Sequence, residues 1–146
     1  MRWGIVHGAA RAALVLLAGL TGCDGGAGAE IFEVEAVIED GHVLFTWEAG
    51  SMSQMHVYRC GDHCACSDDG TWDSSVDGDF VWTTGATHSG QPPLNSPLPY
   101  GKLLPGDGAA VPLVPGEKYI VDLWLLDWKG QNSNIIAMGC DTFVAP

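Results

Sequence analysis

Between Phe32 and Glu48 apolar and polar residues alternate with a period of two, the pattern of strands that bury one face and solvate the other. Phe32, Val34, Ala36 and Ile38 fall on one side, Glu33, Glu35 and Glu39 on the other. Asp40-Gly41 then signals a two-residue hairpin, because the favoured turn needs positive φ at both central positions. Val43, Phe45 and Trp47 predict the core face of a second strand, with Thr46 and Glu48 outside, and Ala49-Gly50-Ser51 ends it. The same pattern predicts strands at 54–60 around Val57 and Tyr58, briefly at 80–83, at 109–113, at 119–128 and at about 135–144. Tyr119, Val121, Leu123 and Leu125 share one face of the longest of these. Long helical patterns are absent, so the expected fold class is all-β, a two-sheet sandwich.

The first thirty residues obey different rules. Arg2 and Arg11 carry positive charge, and an uninterrupted apolar run follows from Ala12 to Leu20. That run is too short to cross a bilayer as a helix, which takes about 20 apolar residues, but it suits the centre of a secretory signal. Leu20-Thr21-Gly22-Cys23 behind it resembles the lipobox of bacterial lipoproteins. The resemblance implies that residues 1–22 are removed and that the Cys23 thiol carries lipid. It also implies a protein held at a membrane of the cell envelope, facing the periplasm or the exterior. Residues 23–30 then form the lipidated cysteine and a Gly/Ala-rich flexible tether, and 31–146 one domain.

Removal of 22 residues leaves 124, enough for one domain with its own core. Four basic residues (Arg59, Lys102, Lys118 and Lys129) then face eighteen acidic ones, a formal charge of −14. Such a surface repels phosphate backbones and excludes nucleic acid as a partner. Four cysteines remain besides Cys23, an even number that reads as two disulfides in an exported protein. A Cys60–Cys140 bridge would force Cys64 and Cys66 to join across one residue, which normal disulfide geometry disfavours. Cys60 is therefore expected to pair with Cys64 or Cys66, and the other of these with Cys140.

Leu113-Val114-Pro115-Gly116-Glu117-Lys118-Tyr119 has the form Leu-x-Pro-Gly-x-x-Tyr. It resembles the turn entering the sixth strand of fibronectin type III domains, and the likeness spans residues 31–60 and 109–144. It implies a fibronectin type III/immunoglobulin-like sandwich in which Tyr119 turns a corner and bonds back to upstream backbone. It also implies a core role for Trp47. The segment 61–108, rich in Gly, Asp, Ser and Pro, exceeds the family's middle connections. It is expected to be a long disulfide-bearing insertion, ordered as a lobe on one sheet.

Three constellations are candidate sites. Cys60, Cys64 and Cys66 with His56, His63 and His88 supply zinc-type ligands, but the spacing matches no zinc pattern and export favours bridges. Asp73, Ser75, Asp77 and Asp79 fall at alternate positions of a calcium-type loop with Gly78 at the turn, yet Thr84 stands where a bidentate Glu belongs. The run reads as an acidic surface turn. Trp72, Trp82, Tyr100, Trp124 and Trp128 form an aromatic set suited to covering a long loop, or to stacking on a glycan or anchoring a protein. His56, Asp62 and His63 are close in sequence but lack a nucleophile, and no catalytic motif appears. The expectation is a non-enzymatic binding or structural module with no cofactor, partnered by the membrane and by an envelope protein or a glycan. The rival is a metal-dependent envelope enzyme using the acidic, Cys/His-bearing insertion.

Overall fold

The computed structural model describes residues 28–67 and 78–146. The signal region, Cys23, Trp72, Asp73, Ser75 and Asp77 lie outside the described residues. Among the described residues eight strands run in chain order: β1 Glu30–Ile31, β2 Val34–Glu39, β3 His42–Trp47, β4 Gln54–Arg59, β5 Asp79–Gly85, β6 Leu98–Pro99, β7 Lys118–Lys129 and β8 Asn132–Val144. One 3-10 turn, Gly61–His63, follows β4. The strands form two sheets, a five-stranded one ordered β1-β8-β7-β4-β5 and a three-stranded one ordered β2-β3-β6.

The hairpin from β2 to β3 closes at Asp40 (φ 50°) and Gly41 (φ 77°). Both are left-handed, as a two-residue turn matched to strand twist demands. The register runs from Glu39↔His42 to Val34↔Trp47. It leaves the Ala36 N–H pointing away from β3, where the Asp141 carboxylate on β8 accepts it at 2.8 Å. An acidic side chain from one sheet thereby caps the exposed edge of the other, where a bare N–H would invite a foreign strand.

Inner-facing residues of both sheets make one core. Val43, Phe45 and Trp47 from β3 meet Met55 and Val57 from β4, Trp82 from β5, and Tyr119, Val121 and Leu123 from β7. Phe143 links the layers, stacked on Tyr119 with ring centroids 5.5 Å apart and edge-on to Phe45 at 5.6 Å. Gly139 marks the closest approach of β8 to the first strands. A Cβ there would sit 2.6 Å from Val34 Cγ2 and 2.7 Å from the Phe32 carbonyl oxygen, so only glycine fits. Ile38, expected inside, is exposed, because β2 runs past the core as it nears its turn.

The structure corrects the reading of 61–108 as an insertion laid on a finished sandwich. Its described part supplies β5 to the large sheet and β6 to the small one. Leu94 and Leu98, flanked by prolines that read as breakers, are buried in the core. Leu98 pairs with Phe45 and Pro99 with Leu44. Proline is tolerated there because β6 is an edge strand that need not donate on its outer side. The strand expected at 109–113 does not form. Pro112 has no N–H, and the segment lies along β5 through the bond from Val111 N–H to the Val81 carbonyl (2.9 Å). Glu30, assigned to the tether, pairs with Ala137.

Tyr119 is 1% exposed, and its hydroxyl oxygen accepts the Val114 N–H at 2.8 Å. The bond ties the Pro115-Gly116 turn to the first residues of β7. Tyr119→Phe removes the acceptor while keeping the ring, and is expected to cost about 1 kcal/mol. The check is chemical denaturation; an unchanged midpoint would show that the hydroxyl holds nothing.

Candidate functional site

The outer face of the five-stranded sheet concentrates the chemistry-bearing side chains. Alternation along β4 puts Val57 inside and His56 and Tyr58 outside. Along β7 it puts Ile120, Asp122 and Trp124 outside, and Cys140 on β8 lies opposite Asp122. His56 and Asp122 are direct cross-strand partners, with Nδ1 and Oδ1 2.9 Å apart. Their side chains are only 11% and 8% exposed. Trp124 meets the His56 ring edge-to-face at 4.6 Å, and Tyr58 meets Phe80 the same way at 5.5 Å.

Two disulfides lie over this face. Cys60 joins Cys64, with Cα atoms 5.1 Å apart, and Cys66 joins Cys140, at 5.9 Å. Together with Tyr58 they bury Ile120 completely, forming a second small apolar cluster on the side of the sheet away from the main core. The Lys118 ammonium donates to the Cys64 carbonyl at 3.2 Å and fixes the loop from below. A β-strand normally offers water one face; here the bridged loop covers it.

The grouping of His56 with Asp62 and His63 by sequence proximity is not what the structure brings together. Asp62 and His63 are exposed on the 3-10 turn, whereas the partner of His56 comes from 66 residues away. The signal was present in β7: an aspartate between Val121 and Leu123 needs a donor if buried. A carboxylate that orients an imidazole is one part of a catalytic dyad. The pair satisfies two polar groups under cover.

The zinc constellation is dismantled by the bridges, since thiolates rather than disulfides ligate zinc. His88 lies in the loop after β5 with Nδ1 3.0 Å from the Ser89 carbonyl oxygen. Among the described residues no group of three or more His, Cys, Asp or Glu side chains is placed to hold a metal ion. Asp79, the one calcium candidate within the described residues, is engaged by Arg59 at 2.6 Å. That hydrogen bond, with the charge of Asp79, raises the Arg59 pKa above its ordinary value.

Of the aromatic set, Trp82 is a core residue, edge-on to Tyr100 at 5.0 Å. The Tyr100 hydroxyl donates to the Val111 carbonyl at 2.6 Å. Trp124 and Trp128 stand outside the core face, as their phase against Tyr119 predicts. Elsewhere the surface has open grooves. One, of about 700 Å³, is lined by Glu33, Glu35, Trp47 and Glu48, and another, of about 540 Å³, by Glu39, His42, Tyr100 and Leu113. Trp47 is committed within its own loop, its indole N–H donating to the Gly50 carbonyl at 2.6 Å.

Comparison of the chain with family models, with characterised proteins and with solved structures finds no match in any of the three. The functional reading therefore rests on the residues themselves.

The two bridges differ in what they constrain. Cys66 and Cys140 are 74 residues apart in sequence and Cys60 and Cys64 only four. The chain-entropy relation gives about 4 kcal/mol for the first and about 2 for the second. Replacing Cys66 and Cys140 together by alanine should therefore lower stability about twice as much as replacing Cys60 and Cys64. Paired urea denaturation curves check this; equal losses would mean that the long bridge does not restrict the unfolded chain.

Burial, with a smaller contribution from Tyr119, pushes the Tyr100 pKa up from 10.0 to about 12. The folded state thus holds this proton where the unfolded chain has lost it. The resulting stability is intact below pH 10 and falls as pH rises from about 10 to about 12. Tyr100→Phe should flatten that part of the pH profile, measured by thermal unfolding at fixed pH; a decline of the same slope in the variant would assign it to another group.

Proposed function

We propose that this chain is a lipid-anchored protein of the bacterial cell envelope whose sandwich serves binding or structure rather than catalysis. One observation carries the reading: Cys23 stands directly after Leu20-Thr21-Gly22, behind a charged start and a nine-residue apolar run. Two further features support it. Four cysteines in two bridges are compatible with an oxidising compartment. A formal charge of −14 after removal of residues 1–22 keeps such a domain dispersed in water beside a membrane.

The domain is best read as fibronectin type III-like. The bond from the Val114 N–H to the Tyr119 hydroxyl supports this, because it is the corner such sandwiches place ahead of a central strand. The fold leaves the ligand open, since sandwiches host unrelated functions. Chemically, the acidic grooves suit a basic or polyhydroxylated partner such as a segment of another envelope protein or a glycan.

Lipid transfer needs the Cys23 thiol, so Cys23→Ser should leave an uncleaved precursor that takes up no acyl chain. Growth with a fatty-acid probe, followed by detergent partitioning, reads this directly. A variant that still incorporates label and enters the detergent phase would sink the proposal.

A further inference from the structure

β7 and β8 outgrow the sheet that holds them. β4 pairs with β7 only from Tyr119 to Trp124, and the Ser53 hydroxyl reaches one step further, accepting the Leu126 N–H at 2.9 Å. Beyond that point Asp127–Lys129 and Asn132–Asn134 pair only with each other, as a two-stranded ribbon. Such a ribbon is marginal in water by itself.

Its two faces differ. A bulge leaves Ile136 unpaired, with Leu125 opposite Ala137 and Leu126 opposite Ile135. Alternation then puts Leu126, Trp128 and Ile135 on one face, continuous with Trp124 and Met138 on the outer face of the sheet. Asp127, Lys129, Asn132 and Asn134 take the other. On that face Ile135 is 36% exposed and Leu126 and Trp128 are half-buried, and the bulged Ile136 adds a side chain 46% exposed, apolar surface left open to cover.

The direction of the amino-terminal segment identifies the cover. β1 runs parallel to β8, with Glu30 opposite Ala137 and Ile31 opposite Met138. Gly28 and Ala29, which lead into β1, therefore lie toward the ribbon tip. Six residues lie between Cys23 and Glu30, and the seven steps across them span at most about 25 Å fully extended. The ribbon, from Ala137 to its turn at Gly130, projects about 20 Å toward the same side. A lipid on Cys23 consequently holds Glu30 no farther from the bilayer than roughly the length of the ribbon. Asp62, Asp79 and Glu117 sit at the opposite end of the sheet, near Arg59 and Tyr119, away from lipid headgroups.

We propose that the β7–β8 ribbon is a second membrane contact, laying Leu126, Trp128 and Ile135 into the bilayer interface while the disulfide-bearing end points outward. The proposal rests on the lipoprotein reading above. Tryptophan is favoured at that depth, where its ring is half in lipid and its N–H stays hydrated. The contact is apolar, with Lys129 near Asp127 (4.0 Å), so it does not depend on anionic lipid.

The test uses the full chain purified from membranes and reconstituted into phosphatidylcholine vesicles whose acyl chains are brominated close to the headgroup. Mass measurement and vesicle flotation first establish the acyl group. Tryptophan fluorescence should then be quenched in the wild type, and Trp128→Phe should lose most of that quenching at an unchanged unfolding midpoint. Ile135→Asp, which lifts the ribbon out while keeping Trp128, should lose it as well. Absent quenching in protein that floats, or equal quenching in wild type and Trp128→Phe, would overturn the proposal and leave the ribbon to a protein partner. A chain that carries no acyl group and does not float would instead remove the lipoprotein reading, and the proposal with it.

Discussion

Burial of β7 on both faces is the constraint around which this molecule is organised. Its inner face gives Tyr119, Val121 and Leu123 to the core between the sheets. Its outer face gives Ile120, fully buried under the Cys60–Cys64 loop, and Asp122, paired with His56. A strand covered on both sides is normally found in sheets flanked by other layers. Among the described residues no α-helix serves that purpose, and a disulfide-pinned loop provides the second layer. The arrangement also explains why a carboxylate in mid-strand is tolerated: the cross-strand histidine satisfies it at 2.9 Å.

The same strand divides the domain into two ends of different character. At one end β7 begins at the Tyr119 corner, close to the bridges and to Arg59–Asp79. At the other it runs beyond its neighbours into an amphipathic ribbon, beside the entry of the amino-terminal segment. If Cys23 is the anchor, the polarity of the domain is built in by its topology: the parallel pairing of two residues, Glu30 and Ile31, sets which end faces the membrane. A short strand contributes little stability, yet under the proposed anchoring it would set the orientation.

Several features were legible from residue pattern because they are local. The β2–β3 hairpin follows from strict alternation and from Asp40-Gly41, whose backbone preferences match the turn without help from distant residues. That Cys60 pairs locally followed from an exclusion, since a bridge across one residue is strained, while the choice of Cys64 over Cys66 came from the tertiary structure. Tyr119 was marked by Pro-Gly three residues earlier, and Trp124 and Trp128 by falling out of phase with it. The residues 86–99 were misread because Pro92, Pro93, Pro97 and Pro99 give loop chemistry to a segment whose Leu94 and Leu98 are nevertheless core. Proline content reports missing N–H donors. It does not report burial.

The sequence by itself determined the strand content, the hairpin at Asp40-Gly41 and the local pairing of Cys60, and it carries the lipobox-like motif on which the functional proposal rests. Each depends on spacing within a few residues, where chain connectivity leaves few alternatives. Only the tertiary structure decided that 61–108 contributes to both sheets, that His56 meets Asp122, that Asp141 caps β2, and that β1 enters beside the ribbon. These are contacts between residues far apart in the chain. Which distant groups meet is set by how two sheets pack around a shared core, a many-body condition that no local pattern encodes.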